Sequence, residues 1–276
     1  MSNRKSSLRI AFTIIVIIAI SAVTYASPWS TALSYLGITS AGPENVSEPV
    51  TANAVMTAGT CGEFGGLAIE VEASGGTNLS YATLKEAFDA INAGAHTGTI
   101  TIDVCADTTE PTVVAAPSVL LNASGVGSAS YTSITMSPAG GAARTISGAA
   151  TAGFPLIDLV GADNLTIDGL NAGGNSLTIE NTTVSATSAT STIRFIGGAT
   201  NNTITNSNLK GAKTASVATN GAVVTFSTDA LTANGNDNNT ISNNNIGPSG
   251  VNLPTTGIQC NGSTTTTAIG NSGIVI

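Results

Sequence analysis

Apolar residues along this chain recur mostly with a period of two. In "TGTITIDVCA" Ile100, Ile102 and Val104 alternate with polar residues, the signature of a strand with one buried face. "YTSITMSP", "RTISGA", "PLIDLVG", "NLTIDGL", "NSLTIEN", "STIRFIGG", "NNTITNSNL", "AVVTFST", "NNTISNNNI", "TGIQCNG" and "SGIVI" continue the pattern, separated by small polar residues. One segment has helical spacing instead. In "YATLKEAFDAINAG" Leu84, Ala87, Phe88 and Ile91 form one stripe, Thr83 and Glu86 a capping box, and Gly94 a stop. The pattern predicts a helix over 83–93, within a cap of 61–98, and strands only over 99–276.

The strands are not independent. "NNTITNSNLKG" begins at Asn201 and "NNTISNNNIGP" at Asn238, 37 residues on, while "NLTIDGLN" begins at Asn164, 37 residues before the first. Asn164, Asn201 and Asn238 are thus in register, as are Ile167, Ile204 and Ile241. A fixed period of this size marks a stacked repeat whose units bury their apolar faces on one another. With several short strands and no helix per repeat, the fold expected is an all-β parallel β-helix. The isoleucines should point inward as one aliphatic ladder. The asparagines should turn the corners and stack amide on amide. A leucine-rich repeat lacks its 20 to 29 residue period here, and "AGGNSLTIE" lacks the aspartate of the calcium-binding nonapeptide.

The first 60 residues read differently. Arg4, Lys5 and Arg9 precede the apolar run Ile10 to Ile20, and Thr24 and Ala26 supply a small-x-small site. This predicts a secretory signal peptide over 1–26, cut after Ala26, because the run is short of the roughly 20 residues a membrane span needs. Residues 27–60, with Pro28, Pro43 and Pro49, read as a linker or loose lead-in. Export makes disulfides durable, so Cys61 and Cys105 are expected to pair and Cys260 to be left over.

Removing the leader leaves 8 − 3 = 5 basic residues against 16 acidic ones, a net charge of −11. Nucleic acid is a poor partner for such a chain, and no membrane association is expected after cleavage. Polysaccharide or a cell-surface glycan remains a candidate partner. No cofactor is expected, with Ca²⁺ considered at Asp163 and Asp168, which flank one corner. Turn chemistry explains those two better, since Asp168 aligns with Thr205 and Ser242 and the column keeps no charge. The sole histidine, His96, reads as a solvated loop residue. Asp158 and Arg194, 36 residues apart, should face outward side by side, either as a surface ion pair or as the arginine base and cation-binding aspartate of a lyase. Sequons at Asn78 and Asn181 are expected by chance in so Asn- and Thr-rich a chain.

From Leu67 onward the succession of the capping helix, "GTITIDV", "LIDLVGADNLTIDGLN", "IRFIGGATNNTITNSNLKG" and "NDNNTISNNNIG" resembles the secreted right-handed β-helix repeat proteins of bacteria, in the pectin-lyase-like superfamily. The resemblance implies a right-handed solenoid and a cell-surface or secreted setting. The superfamily's enzymes cleave polysaccharides, but none of their motifs is present: no Asn-Thr-Asp with paired aspartates, no Gly-His-Gly, no Arg-x-Pro-x-x-Arg. The expected role is therefore a non-enzymatic stalk, adhesin-like or glycan-binding module. The alternative is a polysaccharide lyase or glycoside hydrolase of that superfamily whose catalytic residues are missing or lie beyond Ile276. Since "SGIVI" ends the chain in an unshielded strand, the sequence reads as a fragment that self-associates through its last coil.

Overall fold

The computed structural model describes residues 59–171, 174–214, 220–228, 234–263 and 267–276. The predicted leader, 1–26, and all but the last two residues of the predicted lead-in, 27–60, lie outside them. The alternating segments form a parallel β-solenoid of about four turns, in which five successive strand sets each give one strand to each of three sheets. Strands β3 (His96–Val104), β4 (Thr108–Glu110) and β5 (Val119–Asn122) make the first coil, and β6 (Ser130–Pro138), β7 (Arg144–Gly148) and β8 (Pro155–Val160) the second. Next come β9 (Leu165–Asp168), β10 (Leu177–Ser185) and β11 (Ser191–Ile196), then β12 (Thr203–Thr205), β13 (Ser207–Lys213) and β14 (Val224–Phe226). The last set is β15 (Thr240–Ser242), β16 (Asn245–Pro248) and β17 (Ile258–Cys260). The first members of these sets pair in parallel as one sheet, the second members as another and the third members as a third.

Period-two alternation becomes columns. Ile102, Met136, Ile167, Ile204 and Ile241 stand in register down the first sheet and all are buried, so the isoleucine ladder forms as expected. Ile146, Ile179, Leu209 and Ile246 line the second sheet. In the third, Leu121, Leu159, Phe195 and Phe226 end at Cys260, with the two phenylalanine rings stacked 4.6 Å apart. Only the corner that carries the repeated phrase keeps the 37-residue interval across two coils. Elsewhere the coils differ in length, as between Ile179 and Leu209, 30 residues apart. The phrase itself spans two strands and the corner between them, β12 to β13 and β15 to β16.

The N-terminal end is closed by more than the helix. Helix α1 (Leu84–Asn92) buries Leu84, Ala87, Phe88 and Ile91, with Thr83 as its N-cap. Two strands absent from the sequence reading, β1 (Ile69–Gly76) and β2 (Leu79–Tyr81), extend the first sheet in antiparallel sense beside β3. Their small and charged residues, "IEVEASGG", hide the alternation that Ile69 and Val71 do show. At the helix C-terminus Gly94 takes φ 76°, and a Cβ there would meet Ser128 O at 2.6 Å, so no other residue fits. "SGIVI" is no strand. It makes one parallel bridge, Val275 to Thr240, and leaves Ile276 exposed at the place where the isoleucine column would continue.

Candidate functional site

The corner asparagines are in register, but their roles divide. Asn164, Asn201 and Asn238 are exposed and sit at φ 58°, 56° and 57°, the left-handed conformation that the turn requires. They do not form the amide stack. The Asn164 amide donates to Thr132 O and the Asn201 amide to Thr200 Oγ1. The stack lies one residue further on, at Asn202 and Asn239, both buried. Asn202 Oδ1 accepts from the Leu165 N–H at 2.9 Å while its Nδ2 donates to Ala162 O at 2.8 Å. Asn239 repeats this one coil later, accepting from Asn202 N and donating to Ala199 O, both 2.9 Å. Asn244 does the same at the next corner, accepting from Ser207 N and donating to Ile204 O. Each side chain supplies the backbone partners that the sheet loses where the chain turns.

The aspartates weighed for calcium serve the corners. Asp163 Oδ1 accepts from Thr200 N and Oγ1, both 2.8 Å, and Asp237 accepts from Ser272 N and Oγ at 2.7 and 2.8 Å. Asp168 Oδ1 takes the Leu170 N–H and the Asn206 amide, both 2.9 Å. Among the described residues no three His, Cys, Asp or Glu side chains group as a metal site.

Asp158 and Arg194 do stand side by side on adjacent strands, β8 and β11. The pair is bidentate: Arg194 Nε donates to Asp158 Oδ1 at 2.8 Å and Nη2 to Oδ2 at 2.6 Å. It is not a surface pair, however. The Asp158 side chain is 4% exposed and that of Arg194 16%. Both carboxylate oxygens are engaged by the guanidinium, so neither partner is presented to an external substrate. The neighbours in the column are Leu120 and Thr225, which offer no second carboxylate.

His96 is a correction. It is fully buried at the start of β3, not solvated in a loop. Its Nδ1 lies 2.5 Å from Thr77 O, which can only accept, so Nδ1 carries the proton and Nε2 accepts from Tyr81 Oη at 2.6 Å. Burial holds its pKa below the usual imidazole value, although the Thr77 bond opposes this.

Two buried glutamates escaped the sequence reading. Glu110, at the end of β4, accepts the Leu84 and Lys85 N–H groups at 3.0 and 2.9 Å, placing a carboxylate on the N-terminus of α1. Glu70, on β1, accepts the N–H groups of Gly62, Glu63 and Gly66 at 2.8, 3.4 and 3.2 Å. Cys61 and Cys105 are bridged, their Cα atoms 5.7 Å apart, and Cys260 is free and exposed, as expected.

Two outward columns are neutral, while a third, on the second sheet, sets Glu180 beside Lys210 between Ser147 and Gly247. Thr101, Thr135, Thr166, Thr203 and Thr240 form one partly exposed column on the first sheet. Thr145, Thr178, Asn208 and Asn245 form another on the second, zipped in part by Asn208 Nδ2 to Thr178 Oγ1 and Asn245 Nδ2 to Asn208 Oδ1. No protein-family model, curated protein or solved structure matches this chain.

Proposed function

We propose that this chain is an exported, non-enzymatic module of the right-handed β-helix repeat type, of pectin-lyase-like kind, serving a cell-surface or secreted protein as a stiff stalk with a glycan-contacting face. One observation carries the reading. The charged side chains considered for catalysis, Asp158, Arg194, Asp163 and Asp168, are spent on bonds within the solenoid, whereas two outward columns, through Thr166 and Thr203 and through Thr178 and Asn208, are uncharged hydroxyls and amides. Such a surface can exchange hydrogen bonds with neutral sugars but supplies no paired acid and base.

The test has two arms. In the first, the purified chain is incubated with polygalacturonate, with and without Ca²⁺, and no unsaturated or reducing ends should form. Ends that form with the parent chain would establish the polysaccharide-cleaving alternative. In the second, co-sedimentation with insoluble neutral glycans should retain the protein, and Thr166→Lys with Thr203→Lys should weaken retention without changing its melting temperature. Mass analysis of the secreted product, beginning at Ser27, tests the export arm.

A further inference from the structure

Residues 59–66 form a strap across the outer face of the first sheet. It is fastened at four places. Gly140 N donates to Gly59 O, Cys61 is bridged to Cys105, Glu70 gathers the three N–H groups of Gly62, Glu63 and Gly66, and Ser80 Oγ donates to Phe64 O at 3.0 Å. Beneath the strap two carboxylates oppose each other. Glu70 on β1 and Asp103 on β3 are direct antiparallel partners, which brings their Cβ atoms to about 5 Å. Glu70 is buried, and Asp103 Oδ1 is buried without a hydrogen-bond partner.

The groups facing Asp103 are all acidic or neutral. They are Glu70 and Glu72 of β1, Glu63 of the strap, the Gly59 N–H, and Ser137 across the parallel pair with β6. Among the described residues the ion pairs are Lys85–Asp89 and Arg194–Asp158, so no cation pairs with any of these four carboxyl groups. Nor do they group as a metal site. Protonation is then the remaining way to relieve the repulsion between them.

We propose that the strap is an acid-set clasp, closed when Asp103 is protonated and loosened when it ionises beside Glu70. Burial, with the neighbouring Glu70, Glu72 and Glu63, pushes Asp103 up to about 6, against the pull of the Gly59 N–H. The raised value means that the folded clasp holds a proton the opened one releases. Closure is therefore complete at acid pH and is progressively lost as pH rises through 6. Loosening lifts the strap from the sheet and widens solvent access to Cys105, the half-buried member of a bridge whose other member, Cys61, is exposed already.

The rate of reduction of that bridge by a water-soluble phosphine reads the clasp, using the full chain from pH 5 to pH 8, each rate divided by that of the unfolded chain at the same pH. The normalised rate should rise several-fold between pH 5 and pH 8, while amide exchange at Ile204, corrected for intrinsic rates, stays flat. Asp103→Asn should be slow at both ends. Asp103→Ser, matching Ser137 across the strand pair, serves if the asparagine variant fails to fold. A flat profile in the parent chain, or an unchanged rise in either variant, overturns the clasp. So does a parallel rise in Ile204 exchange, which would mean global unfolding.

Discussion

Asn202 Nδ2 donates to Asn239 Oδ1 at 3.0 Å, one buried amide on the next, at the foot of a column that begins with Ile100, Ile134 and Leu165. An inward-facing column thus changes from aliphatic to amide partway along the solenoid. The change follows from what each residue must satisfy. Leu165 leaves its N–H to be taken by Asn202, so an amide beneath it is required where a second leucine would leave that donor unpaired.

Asn202→Leu should therefore destabilise the chain, despite matching the column above it. It strands the Leu165 N–H and Ala162 O, at about 1–3 kcal/mol for each unmet buried group. Asn201→Gly, one residue away, should leave stability within about 0.5 kcal/mol, because it keeps the left-handed turn. Thermal unfolding of the two variants side by side checks the contrast. Equal effects would mean that the ladder is not what holds the corner.

Ile204→Ala should cost about 2–5 kcal/mol by opening a cavity in the middle of the isoleucine column. Ile204→Asp should prevent folding, since nothing in the column can pair with the charge. Circular dichroism of the two variants separates these outcomes.

Arg194→Ala should be worse than removing both charges. It leaves the Asp158 carboxylate buried and unpaired, at about 3–5 kcal/mol. Asp158→Leu combined with Arg194→Leu extends the neighbouring Leu120 and should recover most of that loss. Denaturant titrations of the single and double variants give the comparison. A double variant no better than the single would show that the pair itself is needed for the fold.

Glu110→Ala removes the acceptor of two N–H groups at the buried start of α1, a loss of about 1–3 kcal/mol. Phe88→Ser should go further and expose the apolar end of the first coil, so that aggregation precedes any loss of strand signal. Light scattering alongside circular dichroism tests the order of events.

Two groups pull the pH dependence of stability in opposite senses. Asp103, raised from 3.8 to about 6, weakens the fold fully above pH 6 and not at all below 3.8, so its contribution falls as pH rises between them. The group is half-buried, so solvent screening reduces the effect to roughly 1 kcal/mol. His96 is lowered from 6.5, so the unfolded chain takes up the proton first and stability drops as pH falls below 6.5. Asp103→Asn should leave only the histidine slope, with stability rising from pH 5 to pH 7. A profile unchanged by the substitution would remove Asp103 as a determinant of stability.

The alternation of Ile100 and Ile102, the 37-residue interval at Ile167, Ile204 and Ile241, and the stripe Leu84, Phe88 and Ile91 were enough to specify coils, column and cap helix. These are periodic features, and stacking requires periodicity in the sequence itself. The same parity places Asn202 inward, two residues before Ile204, so the true amide ladder was present in the doubled asparagine of "NNTIT". Other features were decided only by the tertiary structure. Glu70 and Glu110 find their N–H partners, His96 its tyrosine and Asp103 its opposing glutamate through segments whose register no repeat encodes. The burial of Asp158 and Arg194 belongs with them. Alternation says which side of a strand a residue faces, but not whether that side is later covered.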